Sequence, residues 1–193
     1  SATPASAAAD ATAYAPPPPL PAPLERARVR DGLAAAAARD WTTLAQLREG
    51  ASDPLVRRML QWRWAASTDA PLYFNDLARA LGELQGWPGR GVMRARAEQA
   101  ILDSTLSASE RAAFLRSEGG PVTGDGRIAL ALALRQLGER GQANEIARAA
   151  WREDSLSPNA EAQALSAFGS AFSAEDHAAR ADILLWRGQR SAA

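Results

Sequence analysis

From Leu24 onward this chain is written in the strongest helix formers, Ala, Leu, Arg, Glu and Gln, and no apolar/polar alternation persists for more than a few positions. β-branched residues are scarce. Such a chain can bury a core only by packing helices on helices, and what remains is to locate where each helix starts and stops.

The punctuation is local and readable. The first helix is expected over about Leu24 to Arg39, with Leu24, Val29 and Leu33 on its apolar side. Asp40 caps a short helix of Trp41 to Glu49 that Gly50 stops. Asp53-Pro54 pairs a cap with proline at the first helical position and opens a helix through Trp64. Pro71 opens the next, carrying Leu72, Phe74, Leu77, Leu81 and Leu84 to Gly86, and Trp87-Pro88-Gly89 turns a corner into a helix of Val92 to Leu102. Ser107 and Glu110 form a capping box for Ala108 to Ser117. After a glycine-rich break from Gly119 to Gly126, helices are expected over Ile128 to Leu137, Ala143 to Arg152, Pro158 to Phe172 and Ala174 to Trp186. Ser157-Pro158 and Ser173 with Asp176 supply the last two caps.

About ten helices joined by short turns imply an all-α fold: a right-handed α-α superhelix, or α-solenoid of helix hairpins. The run from Leu137 to Ala147 reads as one tetratricopeptide-like unit, with Gly138 at the turn and small Ala143 and Ala147 where helices approach closely. No repeat of about 34 residues persists, so the array is degenerate. Residues 1–23, with prolines at 16–19, 21 and 23, cannot bury a core and are expected to be a polyproline-like tether. Residues 24–193 form the helical domain, which is expected to be truncated at its C-terminal end, because Ser191-Ala192-Ala193 offers no cap.

Composition narrows the function. The 22 basic residues, all arginine, balance 22 acidic ones, which argues against nucleic acid as a partner. There is no cysteine, hence neither a disulfide nor a thiolate metal site. No apolar run approaches the ~20 residues of a membrane span. The opening Ser and the small residues after it fit an exported protein freed of its signal peptide.

Residues that carry chemistry are few, and no catalytic or metal-binding set and no cofactor motif is expected. The single histidine, His177, reads as a packing residue near a helix start. The glycine-rich stretch lacks the lysine and preceding strand of a phosphate loop and reads as a turn between hairpins. Glu98 and Glu110 have the residue type for glycosidase acid/base work, yet both sit among arginines, and solvated, salt-bridged helix faces account for them. Six tryptophans stand out, since indole faces stack on sugar rings: Trp62, Trp151 and Trp186 fall on apolar helix faces and are expected in the core, while Trp87, at its corner, is the best candidate for an exposed, ligand-binding ring, the alternative being that it staples the corner.

Taken in order, Ser52 to Trp64, Trp87-Pro88 with Met93 to Glu98, Gly120 to Gly126, and Phe172 to Gly188 resemble the N-terminal superhelical domain of soluble lytic murein transglycosylases. The last segment, with His177, Arg180, Asp182, Leu184, Leu185, Trp186 and Gly188, is the most specific. The resemblance implies a periplasmic enzyme that cleaves the MurNAc–GlcNAc bond of peptidoglycan, leaving a 1,6-anhydro end. In that family a glutamate of a C-terminal lysozyme-like domain acts as acid and then base, and the sugar's own 6-hydroxyl is the nucleophile. That domain is absent here, so no catalytic residue carries over, and this segment alone is expected to be inactive. Its implied partners are glycan strands, the catalytic domain of the same chain and cell-wall synthesis proteins. A concave wall with Arg57, Arg58, Arg63, Arg94 and Arg96 would engage stem-peptide carboxylates; the alternative is that these arginines solvate helix exteriors. The rival function is a free-standing periplasmic adaptor of tetratricopeptide type that binds proteins in its groove.

Overall fold

The computed structural model describes residues 20–191. The expected tether falls outside the described residues as far as residue 19, and Pro23 is already the first residue of a helix. Among the described residues the fold is all-α, without strands: α1 (Pro23–Ala37), α2 (Trp41–Glu49), α3 (Pro54–Ala65), α4 (Phe74–Glu83), α5 (Arg90–Ala100), α6 (Ala108–Arg116), α7 (Gly124–Gln136), α8 (Arg140–Glu153), α9 (Pro158–Phe168) and α10 (Ala174–Ser191).

The caps form as their residue types require. Asp40 accepts from Thr43 N at 3.0 Å, Asp53 from Leu55 N at 2.8 Å and Ser157 from Ala160 N at 3.2 Å. Ser107 and Glu110 close a reciprocal capping box. Ser173 and Asp176 close another: Ser173 N donates to the carboxylate at 2.8 Å, and Asp176 N donates to the Ser173 hydroxyl at 3.2 Å. The Ser173 amide, against the opposing effect of burial, holds the Asp176 carboxyl below its usual range, and Arg148 and Arg152 at 3.1 and 3.6 Å add to this.

Successive helices pack on one another, α1 on α2, α2 on α3, α4 on α5, α6 on α7 and α7 on α8; longer reaches join α1 to α3, α5 to α7, α7 to α9 and α8 to α10. Two apolar clusters result. Leu44, Val56, Leu60, Leu77 and Met93 centre the first, on α1 to α5; Ile101, Leu115, Ile128, Leu134 and Phe168 centre the second. Phe74 and Phe114 meet edge to face at 5.0 Å and pack on both clusters.

α4 begins at Phe74 rather than Pro71, α8 at Arg140 rather than Ala143, and α9 ends at Phe168 rather than Phe172; two further elements depart from the sequence expectation for reasons of packing. On α1, Leu24 and Leu33 are exposed, and the buried face is Glu25, Gly32, Ala35 and Ala36. Close approach decides this: a Cβ at Gly32 would lie 2.4 Å from Leu60 Cδ2, so α1 turns its smallest residues toward α3. The hairpin of α7 and α8 uses the same device, with Ala143, Ala147 and Ala150 fully buried and Gly138 in the left-handed region at the turn.

The second departure is α7, which begins at Gly124, inside the expected glycine-rich break. Thr123 caps it by accepting from Gly126 N at 2.9 Å. Gly124 is glycine because a Cβ there would meet Ser155 O at 2.4 Å and Asp154 Cβ at 2.6 Å. Gly124→Ala is expected to cost about 2–3 kcal/mol, since the clash is with backbone that cannot rotate away. In a thermal melt this is a drop of about 5–10 °C; an unchanged Tm would mean that the 155 loop yields freely.

Candidate functional site

The arginines and glutamate of α5 occupy the seam between the two clusters, and their positions overturn part of the sequence reading. Glu98 is 0% exposed, one of the largest fully buried side chains, rather than part of a solvated face. Its carboxylate accepts from Arg94 Nε at 2.9 Å, Val122 N at 3.0 Å, Thr123 N at 2.9 Å and Thr123 Oγ1 at 2.6 Å. A Cβ on Gly126 would lie 2.3 Å from Glu98 Oε2. The glycine-rich segment is therefore shaped around an internal carboxylate. Glu110, by contrast, is the exposed capping residue, its carboxyl held down by the Ser107 hydroxyl and then its amide.

Arg94 and Arg96 are buried, with most of their N–H groups directed at partners inside the fold. Arg94 donates to Glu98, Ser117 Oγ at 3.0 Å and Phe114 O at 3.0 Å, with its guanidinium 4.4 Å from the Phe114 ring centre. Arg96 reaches the other way and donates to Trp64 O at 2.9 Å, Ala65 O at 2.6 Å, Ala70 O at 2.9 Å and Pro71 O at 3.0 Å. Burial pulls its pKa down to about 10, opposed by Asp69, so it stays charged at neutral pH. It supplies the free carbonyls at the end of α3 with donors and joins them to the strand of chain leading into α4.

That clamp shapes a depression of about 300 Å³ between α2, α3 and the approach to α4. Trp41, Leu44, Leu60, Trp64, Pro71 and Tyr73 form its apolar walls; Thr42, Gln46, Arg48, Glu49 and Asp76 supply the polar groups. The Tyr73 ring lies nearly parallel to Trp64, centroids 6.4 Å apart, and the Arg96 guanidinium is 5.2 Å from the Trp64 ring centre. Asp40, whose carboxyl is held below its usual range by the Thr43 hydroxyl and amide, starts α2 so that Trp41 stands at the mouth. A few convergent polar groups around flat aromatic walls are what a small-molecule site requires, and the volume is at the lower end of the roughly 300–1,000 Å³ range of such sites.

A second, more open groove adjoins it, sharing Arg48 and Glu49 and lined further by Arg57, Gln61, Arg79 and Glu83. Of the sequence candidates, Arg57 alone lines either depression, donating one N–H to Ala51 O at 2.6 Å. Arg58 is exposed on α3 outside both. Arg63 is half-buried and bonds Ser67 of its own helix end. Trp87 is half-buried: its ring is 6.2 Å from Trp62, whose indole N–H donates to Pro88 O at 2.8 Å, so the pair staples the corner.

The other tryptophans divide. Trp151 is core, stacked on Phe172, and His177, itself exposed near the start of α10, lies edge-on to both rings. Trp186 is 70% exposed beside exposed Leu184 and Leu185, contrary to its expected burial. Sequence reasoning passed over Trp41, Trp64 and Tyr73 as a group. No local signal unites them, because Arg96 brings the end of α3 and the segment before α4 together from about thirty residues away.

Among the described residues, no group of three or more His, Cys, Asp or Glu side chains could hold a metal ion, and no helix is long and apolar enough to cross a membrane. Comparison with family models, curated proteins and solved structures returns no match.

Proposed function

We propose that this chain is a non-catalytic glycan-binding scaffold, a superhelical domain that positions peptidoglycan strands for cleavage of the MurNAc–GlcNAc bond by a lysozyme-like catalytic domain, as its resemblance to lytic transglycosylases implies, in the periplasm. The observation that carries the reading is the pocket walled by Trp41, Trp64 and Tyr73 and rimmed by Thr42, Gln46 and Asp76. Pyranose rings present a face of C–H bonds that packs on an aromatic ring, while their hydroxyls need hydrogen-bond partners at the edge. The pocket offers both. The motif series from Ser52 to Gly188 supports the particular glycan.

The test is a titration of the chain with N-acetylglucosamine oligomers and muropeptides, and its retention on sacculi. Trp41→Ala and Tyr73→Ala remove a ring from the mouth without touching the α5 clamp. Each is expected to weaken binding about 5–30-fold, the equivalent of roughly 1–2 kcal/mol. No saturable binding by the unaltered chain would sink the proposal.

A protein-binding adaptor is the second reading, favoured by the exposed Leu184, Leu185 and Trp186 on α10. On this reading, stripping protein from the sacculi abolishes retention, and on unstripped sacculi Trp186→Ala weakens it while Trp41→Ala does not.

A further inference from the structure

We infer that the aromatic pocket has an occupant within the same chain: the proline run Pro16–Pro19, seated against Trp41, Trp64 and Tyr73, where any other ligand must displace it. This contact needs no added ligand, so it goes beyond the glycan reading and does not rest on it.

The chemistry of the two surfaces matches. Four consecutive prolines favour polyproline II, in which residues three apart share an edge. Pro16 and Pro19 therefore lie about 9 Å apart along one edge. Grooves with aromatic walls take such edges, because the segment is already extended and loses little entropy on docking. Here the Trp64 and Tyr73 rings are nearly parallel, centroids 6.4 Å apart, with Trp41 beside them in the same wall. Proline has no N–H, so the run presents acceptors only, and Thr42, Gln46 and Arg48 supply donors along the pocket.

Charge points the same way. From Ala11 to Ala22 the chain carries no charged residue. The charged groups of the pocket already face opposite charges: Arg48 is 3.9 Å from Glu49, and Asp76 is 3.5 Å from Arg79. A neutral segment enters such a pocket without leaving a charge uncompensated.

Reach is sufficient. A shallow trough runs from the first turn of α1 to α2, with Leu24, Ala27 and Arg28 on one side and Thr43, Gln46 and Leu47 on the other. Gln46 also lines the aromatic pocket, so the trough leads into it. From Ala22 back to Pro16, polyproline II spans about 19 Å, whereas α2, which flanks the whole pocket, is about 13 Å long. So short a link holds the run at an effective concentration on the order of 1 mM. A contact with a dissociation constant of about 0.1 mM between separate molecules would then fill about nine pockets in ten. A saccharide competing for the remaining tenth binds with an apparent affinity about tenfold lower.

The test uses the full chain. It has no cysteine, so Ala13→Cys accepts a single spin label beside the run. The NMR signals of the Trp41 indole N–H and the Tyr73 ring are expected to broaden, while that of Trp151, in the second apolar cluster, is not. The broadening is expected to fall by more than half when Pro17→Ser and Pro18→Ser are added, which leaves the length of the link unchanged. Absence of broadening at Trp41, or broadening that the serines do not reduce, overturns the docking. Without the label, the doubly substituted chain is expected to bind an N-acetylglucosamine tetramer about five- to tenfold tighter than the unaltered one. Equal affinity of the two chains for the tetramer overturns the docking and leaves glycan binding standing. If neither chain binds the tetramer, the glycan reading falls, and the broadening alone decides whether the prolines occupy the pocket.

Discussion

Replacing Glu98 by alanine is expected to lower the stability of the domain by about 3–5 kcal/mol, because it leaves a buried cation and two backbone amides without their acceptor. Glu98 is fully buried and takes hydrogen bonds from Arg94, Val122 N, Thr123 N and the Thr123 hydroxyl. Removing it strands Arg94 between Phe114 and Ser117 and releases the chain just before α7. Glu98→Gln keeps one oxygen for the amides but turns an NH2 group toward a site filled with donors, so its cost is expected to be smaller, about 1–3 kcal/mol. Urea unfolding measures both. A Glu98→Ala protein within 1 kcal/mol of the unaltered one would mean that water replaces the carboxylate, and that the seam between the two apolar clusters is far more open than its burial indicates.

The second large effect is at Arg96, where loss of stability and loss of binding are expected together. Arg96→Met removes the donors to Trp64 O, Ala65 O, Ala70 O and Pro71 O. Methionine fits the space and relieves the cost of burying a charge, which limits the destabilisation to about 2–4 kcal/mol despite four orphaned acceptors. The same change frees the end of α3 from the segment carrying Pro71 and Tyr73, so the aromatic walls lose their spacing. Saccharide affinity is expected to fall at least tenfold at a temperature where the variant is still folded, although Arg96 is the clamp beneath the walls rather than a group at the mouth. Arg96→Lys retains the charge but not the planar fork and is expected to fall between the two. Unaltered binding by a folded Arg96→Met protein would show that the pocket is held by apolar packing alone.

Both predictions rest on residues whose sequence invited the opposite conclusion. Arg94-Ala-Arg96-Ala-Glu98 on a helix looks like a solvated, salt-bridged face, and Arg94 and Glu98 do pair at helical spacing. What places them inside is the arrival of Val122 and Thr123 on one side of α5 and of the carbonyls at 64–71 on the other, from positions more than twenty residues distant. The same holds for α1: Leu24 and Leu33 stay exposed because Gly32, Ala35 and Ala36 permit a closer contact with α3 than leucines would. Trp186 sits among leucines and alanines, a setting that predicts burial, yet it is exposed together with Leu184 and Leu185.

The sequence by itself determined that the chain is helical and where the helices with a side-chain cap or a capped first-turn proline begin: α2, α3, α6, α9 and α10. Caps, first-turn prolines and turn glycines satisfy or break hydrogen bonds within a few residues of themselves, so Asp40, Asp53-Pro54, Ser107 with Glu110, Ser157-Pro158 and Ser173 with Asp176 act with no help from the rest of the fold. Only the tertiary structure decided which face of each helix is inward, which charges are buried and which aromatic rings stand together. Those outcomes depend on how close two backbones can come and on which distant donors and acceptors a buried charge can reach, and neither quantity is encoded within one turn of helix.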